Sequence, residues 1–207
     1  MTKAKELPQE EVARLVKAAK AGDKQAFGRL VEAFQDRIYG YLARMLGDPD
    51  EAEDVAQEVF VRAFRSLGRF RGASSFHTWL YRIASNLAID VARKRKRQSN
   101  TAYSLDAPVE LGDEEYERDI PDESRAPDQV SEQKQVQSVV RQAVMDLPGK
   151  LRDVMVLYEL QGESYEDIAD ILDVPLGTVK SRLFNARGQL KKRLEAMMET
   201  GELQVGP

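Results

Sequence analysis

Apolar residues recur along this chain every three or four positions, and no run alternates convincingly with period two. That spacing lines one face of an α-helix, so the chain reads as helix nearly throughout. A short helix over residues 9 to 21 is halted at Gly22, and Asp23 caps the next, over 24 to 46. Its inward stripe is Phe27, Leu30, Val31, Phe34, Ile38, Tyr41 and Leu42. After a GDPD turn at 47 to 50, Asp50 with Glu53 predicts a capping-box variant that opens a helix ending near residue 67. Val55, Val59, Phe60, Ala63 and Phe64 form its apolar stripe. The glycine-punctuated GRFRGASS loop leads into a long helix over 75 to 96, with Phe76, Leu80, Ile83, Leu87 and Val91 inward. Thr78, Arg82, Asn86 and Arg93 fall on a polar stripe nearly opposite, with Trp79 and Tyr81 between the two.

This periodicity stops at Arg97. The following stretch mixes Pro, Gly, Ser and carboxylates without the apolar density to pack a core, and reads as a flexible linker. Helical patterning resumes near Val130, with helices expected over 131 to 146, 148 to 160, 164 to 172 and 176 to 198 and a frayed tail GELQVGP. The expected architecture is therefore all-α: a helical domain over 1–97, an acidic linker over 98–130, and a second helical domain over 131–207.

Charge sharpens that division. The formal net charge of the chain is −4, but residues 69 to 97 carry eight cations against Asp90 alone, and 175 to 194 carry six cations and no acid. Between them, residues 100 to 132 carry eleven acids against Arg118 and Arg125. Two basic blocks joined by an acidic strip point to nucleic acid, because phosphate neutralisation dominates such affinity. Zero cysteines exclude disulfides and thiolate–metal sites, and one histidine leaves little for zinc or histidine-based catalysis. No cofactor or metal is expected. No apolar run approaches the roughly 20 residues that span a bilayer. The N-terminus lacks the apolar core of a signal peptide, so the expected compartment is the cytoplasm, without membrane insertion.

The most specific local signal is SYEDIADILDVPLGTVKSRLFNARGQLKKRL, residues 164 to 194. Ser164 with Asp167 caps a short helix whose inner face is Ile168, Ala169, Ile171 and Leu172. Asp173-Val174-Pro175 makes a tight turn, and Gly177 with Thr178 opens the next helix. Val179, Leu183 and Leu190 pack inward, while Lys180, Ser181, Arg182, Asn185 and Arg187 project outward. This is the pattern of a helix-turn-helix, in which the second helix enters the major groove of DNA. Repressors, response regulators and polymerase subunits all use it, so the N-terminal half has to decide among them.

Two features there are unusual. In DPDEAEDVAQEVFVRAF, residues 48 to 64, six carboxylates precede the first cation, Arg62. With Val55, Val59, Phe60 and Ala63 inward, Asp54, Gln57, Glu58 and Val61 form another face, mixed acidic and apolar, suited either to solvent or to a basic partner helix. Metal-dependent nuclease chemistry by these acids lacks a convergent partner in the sequence. The second feature is FHTWLYRIASN, residues 76 to 86, which holds the only tryptophan and histidine and runs toward RKRKR at 93 to 97. Trp79 reads as a core anchor, yet aromatics beside a Gly/Ser loop and a cationic helix end also suit single-stranded nucleic acid, where each stacked base is worth roughly 1–3 kcal/mol. The loop Arg69 to Ser75 is a candidate pocket for one extruded base.

EDVAQEVFVRAF, FRGASSFHTWLYRIASNLAIDVARKRKR and the helix-turn-helix segment, in this order and spacing, resemble bacterial RNA polymerase sigma factors of the extracytoplasmic-function type, over about residues 10 to 197. The resemblance implies a promoter-specificity subunit that is not an enzyme, directing transcription initiation from −10 and −35 elements. It implies that Asp54, Gln57, Glu58 and Val61 dock on the β′ clamp helices of core RNA polymerase, with the β subunit as a further contact. Phe70, Arg71, Ser74, Ser75, Trp79, Tyr81, Arg82, Asn86 and Arg93 match the element that recognises and melts the −10 sequence, contacting duplex and single-stranded promoter DNA. Thr178, Lys180, Ser181, Arg182, Phe184, Asn185 and Arg187 match the −35-reading helix. The linker is expected to thread toward the RNA exit path, and an anti-sigma factor is a candidate partner.

Overall fold

The computed structural model describes residues 7–103 and 132–199. Among them the only regular structure is helical: α1 (Gln9–Lys20), α2 (Lys24–Leu46), α3 (Pro49–Ser66), a short 3-10 turn (Leu67–Arg69), α4 (Phe76–Tyr103), α5 (Glu132–Met145), α6 (Gly149–Met155), α7 (Tyr165–Leu172) and α8 (Leu176–Glu199). The expected linker from residue 104 onward and the tail from 200 lie outside the described residues. α4 extends to Tyr103, past the expected stop near residue 96. The helix expected over 148 to 160 is α6 followed by one π-helical turn, Val156–Leu160.

Local chemistry accounts for most boundaries. Asp23 accepts from the N–H groups of Gln25 (2.9 Å) and Ala26 (3.1 Å), capping α2 as its sequence predicts. At α3 the cap is Asp48 rather than Asp50: its carboxylate accepts from Asp50 N and Glu51 N, and Pro49 takes the first helical position, where its missing N–H costs nothing. Ser75 caps α4 by accepting from Thr78 N at 2.9 Å and pairing with the Thr78 hydroxyl at 2.7 Å. That bond draws Thr78 inward, where it is buried rather than on the polar stripe expected of it.

α1 to α4 pack around α2, whose Ile38, Tyr41 and Leu42 are fully enclosed together with Val59 of α3 and Leu80 and Tyr81 of α4. Burying such side chains stabilises the fold by roughly 1.5–3 kcal/mol each relative to exposure. α5 to α8 form the second group, and the apolar core is continuous between the two, because α7 packs on α4 while α5, α6 and the π turn meet α2. The seam between them is polar at its centre. Tyr41 Oη donates to Asp153 Oδ1 (2.6 Å), Ser85 Oγ to Asp153 Oδ2 (2.9 Å), and Arg152 Nη1 to the Met45 carbonyl (2.7 Å). Burial pushes the Asp153 carboxyl above its ordinary value, with the two hydroxyls opposing the rise.

Tyr81 faces the same seam and donates to Gln161 Oε1 at 2.9 Å. Burial first, opposed by Arg37 and reinforced by Glu163, pushes its phenol from 10.0 up to about 12. Since the folded value is raised, the stabilisation from the neutral phenol is complete below pH 10 and is lost as pH rises through about 12. An ultraviolet titration of phenolate, wild type minus Tyr81→Phe, should therefore show a component near pH 12. A difference titrating near the ordinary tyrosine value would place Tyr81 in solvent.

Candidate nucleic-acid interface

The second helix pair is built as the helix-turn-helix pattern requires. Ser164 accepts from Asp167 N (3.0 Å) and donates to its carboxylate (2.6 Å), fixing the start of α7. Asp173 closes α7 in the left-handed conformation (φ 54), and Val174 N returns to the Ala169 carbonyl at 3.1 Å. Asp tolerates this backbone better than most residues, so the turn needs no glycine. Pro175 then presents its carbonyl to Thr178 N and Val179 N at the start of α8. Val179, Leu183 and Ala186 bury against α6 and α7.

What remains on the outside of α8 is a stripe of Lys180, Ser181, Phe184 and Asn185, all exposed. Phe184 is 78% exposed, more than any other large apolar side chain among the described residues. Thr178 and Arg182 are half-buried at its edge, Thr178 accepting from Ser181 Oγ at 3.0 Å through its carbonyl. The Arg182 charge also opposes the rise of the Asp153 carboxyl. Arg187 is held by Glu159 Oε1 (2.7 Å) and lies over the Tyr158 ring at 5.3 Å, pre-positioned rather than free.

The N-terminal candidates separate into two places. Phe70, Arg71, Ser74 and Ser75 line one wall of a 720 Å³ cavity whose other walls come from α1 and α2, including Val16 and Phe34. The loop is held there by Lys20 Nζ donating to the Phe70 carbonyl (2.7 Å) and by Gly72, whose φ of 73 favours glycine. Trp79 is half-buried, packed against Phe70 (centroids 5.0 Å) and Phe76 (5.6 Å), and so anchors the loop to α4. Asn86 and Arg93 are exposed on α4. Tyr81 and Arg82 are brought elsewhere: Tyr81 is fully buried, and Arg82 Nε donates to the Asp170 carbonyl of α7 at 3.0 Å. Of the RKRKR run, Arg95 is tied to Glu51, Asp48 and the Leu46 carbonyl, while Arg93 and Lys94 remain exposed.

On α3, Asp54, Gln57 and Val61 are exposed on one face, with Glu58 partly so and paired to Arg62 at 2.8 Å. Phe64 joins this face. It is 47% exposed, touching Phe27 only edge-on at 5.0 Å, although its spacing placed it in the core stripe. His77 faces the second helical group: its Nε2 lies 3.1 Å from Glu163 and its ring 4.5 Å from Tyr81.

Two family models match separate parts of the chain. The model for Sigma-70 region 2 matches residues 30–98, and that for Sigma-70, region 4 matches 137–190. The RNA polymerase sigma-H factor of Pseudomonas aeruginosa is 41% identical over 93% of this chain and 98% of its own. The extracytoplasmic-function sigma factor SigW of Bacillus subtilis is 39% identical over 88% and 96%. This chain belongs to the extracytoplasmic-function sigma factors. It is a promoter-recognition subunit that directs transcription initiation, in a family of promoter-specificity subunits. The fold of this sigma factor is shared with RpoE of Bartonella quintana, solved with the anti-sigma factor NepR (TM-score 0.60, 24% identity, covering 82% of this chain and 96% of the other). It is shared equally with CnrH in complex with the cytosolic domain of CnrY (TM-score 0.62, 24% identity, 90% and 98%).

Proposed function

We propose that this sigma factor reads the −35 element with the outward stripe of α8, binds core RNA polymerase through the exposed face of α3, and captures the −10 strand at the loop 70–75 and the adjoining face of α4. Residues 1–97 act as the docking and melting domain and 131–207 as the upstream-reading domain, joined by the acidic segment between them. The observation that carries this reading is the contrast along α8, where Lys180, Ser181, Phe184 and Asn185 are solvent-facing while Val179, Leu183 and Ala186 are buried. Lysine reaches phosphate or guanine, asparagine reaches adenine, and an exposed phenyl ring meets the methyl group of thymine. A phenylalanine left in water by the fold, at the centre of a polar stripe, is thereby given a partner.

The chain's work in this reading is binding energy alone, with no covalent step. Bases stacked in or beside the loop cavity offset unstacking of the duplex, which costs a few kcal/mol per step. The site of action is the cytoplasm, where the polymerase is; no helix among the described residues is long and apolar enough to cross a membrane. An anti-sigma protein is a proposed partner, since both solved neighbours are held by proteins bound to them.

The test uses a −35 duplex selected by the holoenzyme from a promoter library. Phe184→Ala should weaken binding about tenfold, the scale of one mismatched base pair. Replacing thymines of the element by uracil should cost the wild type a similar factor and cost the variant nothing further. Equal tolerance of uracil by both proteins would remove Phe184 from the readout.

A further inference from the structure

The loop assigned above to the −10 strand is fastened at its two ends and open between them. Phe70 closes the 3-10 turn through its N–H on the Leu67 carbonyl (3.1 Å), and Ser75 caps α4. Among the described residues no hydrogen bond reaches residues 71–74, and a Cβ added at Gly72 would meet nothing within 4 Å. The path of this segment therefore depends on where Phe70 is held. Its ring packs on Trp79 and Phe76, but its carbonyl is held from another element: Lys20 Nζ of α1 donates to it at 2.7 Å, across 50 positions. α1 is a rigid support for that bond. Leu15, Val16 and Ala19 are buried, and α1 packs along α2. Gly22 (φ 101) then turns the chain so that Asp23 N returns to the Ala18 carbonyl at 3.1 Å. Lys20 itself is exposed, so its bond to the loop is separable from the packing of the core.

We propose that Lys20 is a positioning residue for base selection: through it α1 fixes the start of the loop, and with it one wall of the cavity that an extruded base enters. The inference rests on the assignment of loop 70–75 to the −10 strand. Phe70 and Ser74 on the loop side face Val12 and Val16 of α1 across that cavity. A shift of Phe70 relative to α1 thus changes the width a base meets. An ammonium-to-carbonyl bond sets that width more firmly than a neutral pair. A loop ordered in advance also spares the strand the cost of ordering it on binding. Lys20 and Lys17 are exposed cations beside the same cavity, so a direct phosphate contact is the competing role. The two roles leave different marks. A phosphate contact weakens with salt and acts on every sequence alike, whereas fixing the loop acts on the choice of base and leaves the salt dependence alone.

The test titrates holoenzyme carrying wild type, Lys20→Met or Lys20→Arg with fluorescent −10 single strands over a range of salt. Each position of the strand carries each of the four bases in turn. Lys20→Met keeps the length of the side chain and removes the donor. It should weaken capture of the preferred strand about three- to tenfold. It should also flatten the preference among bases at the extruded position, with the dependence of log affinity on log salt unchanged. Lys20→Arg, which still donates, should return both to the wild-type values. All three proteins should bind core polymerase and the −35 duplex equally, because α3 and α8 are untouched. A salt slope smaller by about 0.7 in Lys20→Met, with base preference intact, would overturn the positioning role and make Lys20 a phosphate ligand. Unchanged affinity and preference would overturn it as well. Capture by wild-type holoenzyme with no base preference at any position would overturn the assignment of the loop to the −10 strand, and the role of Lys20 with it.

Discussion

Reversing Asp54, Gln57 and Glu58 together to arginine should abolish recovery of this sigma factor with core RNA polymerase, at least about a hundredfold loss of affinity. The three residues share an α3 face with Val61 and Phe64, which are 40% and 47% exposed. A mixed acidic and apolar stripe of this kind gains affinity from the apolar pair and register from the charges, and like charges set against a basic helix cost several kcal/mol. The inward stripe of α3, Ala52, Val55, Ala56, Val59 and Ala63, is untouched by the substitutions, so the helix and its packing on α2 and α4 should survive. Pull-down with core enzyme measures the loss, and binding of the −35 duplex, which needs only α8, should be unchanged. Retention of polymerase binding by the folded triple variant would move the docking site off α3.

The second large effect is expected at Trp79. Its indole is half-buried between Phe70 and Phe76, and those contacts fasten the cavity loop to the start of α4. Trp79→Ala removes both contacts, at a cost of roughly 3 kcal/mol if the site does not collapse. Because Phe76 remains on Phe34 (5.5 Å) and Leu80 stays enclosed, the loss falls on the loop rather than the bundle. The expected result is near-wild-type helix content by circular dichroism, intact polymerase and −35 binding, and loss of permanganate-reactive thymines in the promoter. A folded variant that opens promoters normally would show that neither Trp79 nor the loop it anchors contributes to melting.

The parts of this molecule legible in its sequence are those fixed by short-range chemistry. The caps at Asp23 and Ser164, the Asp173 turn and the buried phase of α8 each depend on residues within four or five positions of one another, so spacing alone reveals them. Even so, two local signals misled. Pro49 shifts the α3 cap from Asp50 to Asp48, and the Ser75 hydroxyl pulls Thr78 off the polar stripe. The seam was not legible, because its bonds join residues 112 positions apart at Tyr41 and Asp153 and 126 apart at Arg37 and Glu163. Helical phase separates inward from outward on one helix, but it cannot say whether an outward residue meets water or another domain. Tyr81 and Arg82 suffered that ambiguity, and Phe64 its converse, a core-phase residue at the bundle edge that stays half in solvent. One signal was available: Asp153 is a carboxylate set among Leu151, Val154 and Met155, where an acid needs a buried partner to be tolerated.

Promoter selection by this chain is tested most directly by run-off transcription with core polymerase on a library of promoter sequences, with and without the chain. The expected result is initiation that depends on the chain and selects templates sharing two elements at fixed spacing, with selectivity for the upstream element lost when Lys180, Ser181 and Arg182 are replaced by alanine. Core polymerase that binds the chain yet initiates without sequence preference, or with a preference unaffected by those substitutions, would contradict it.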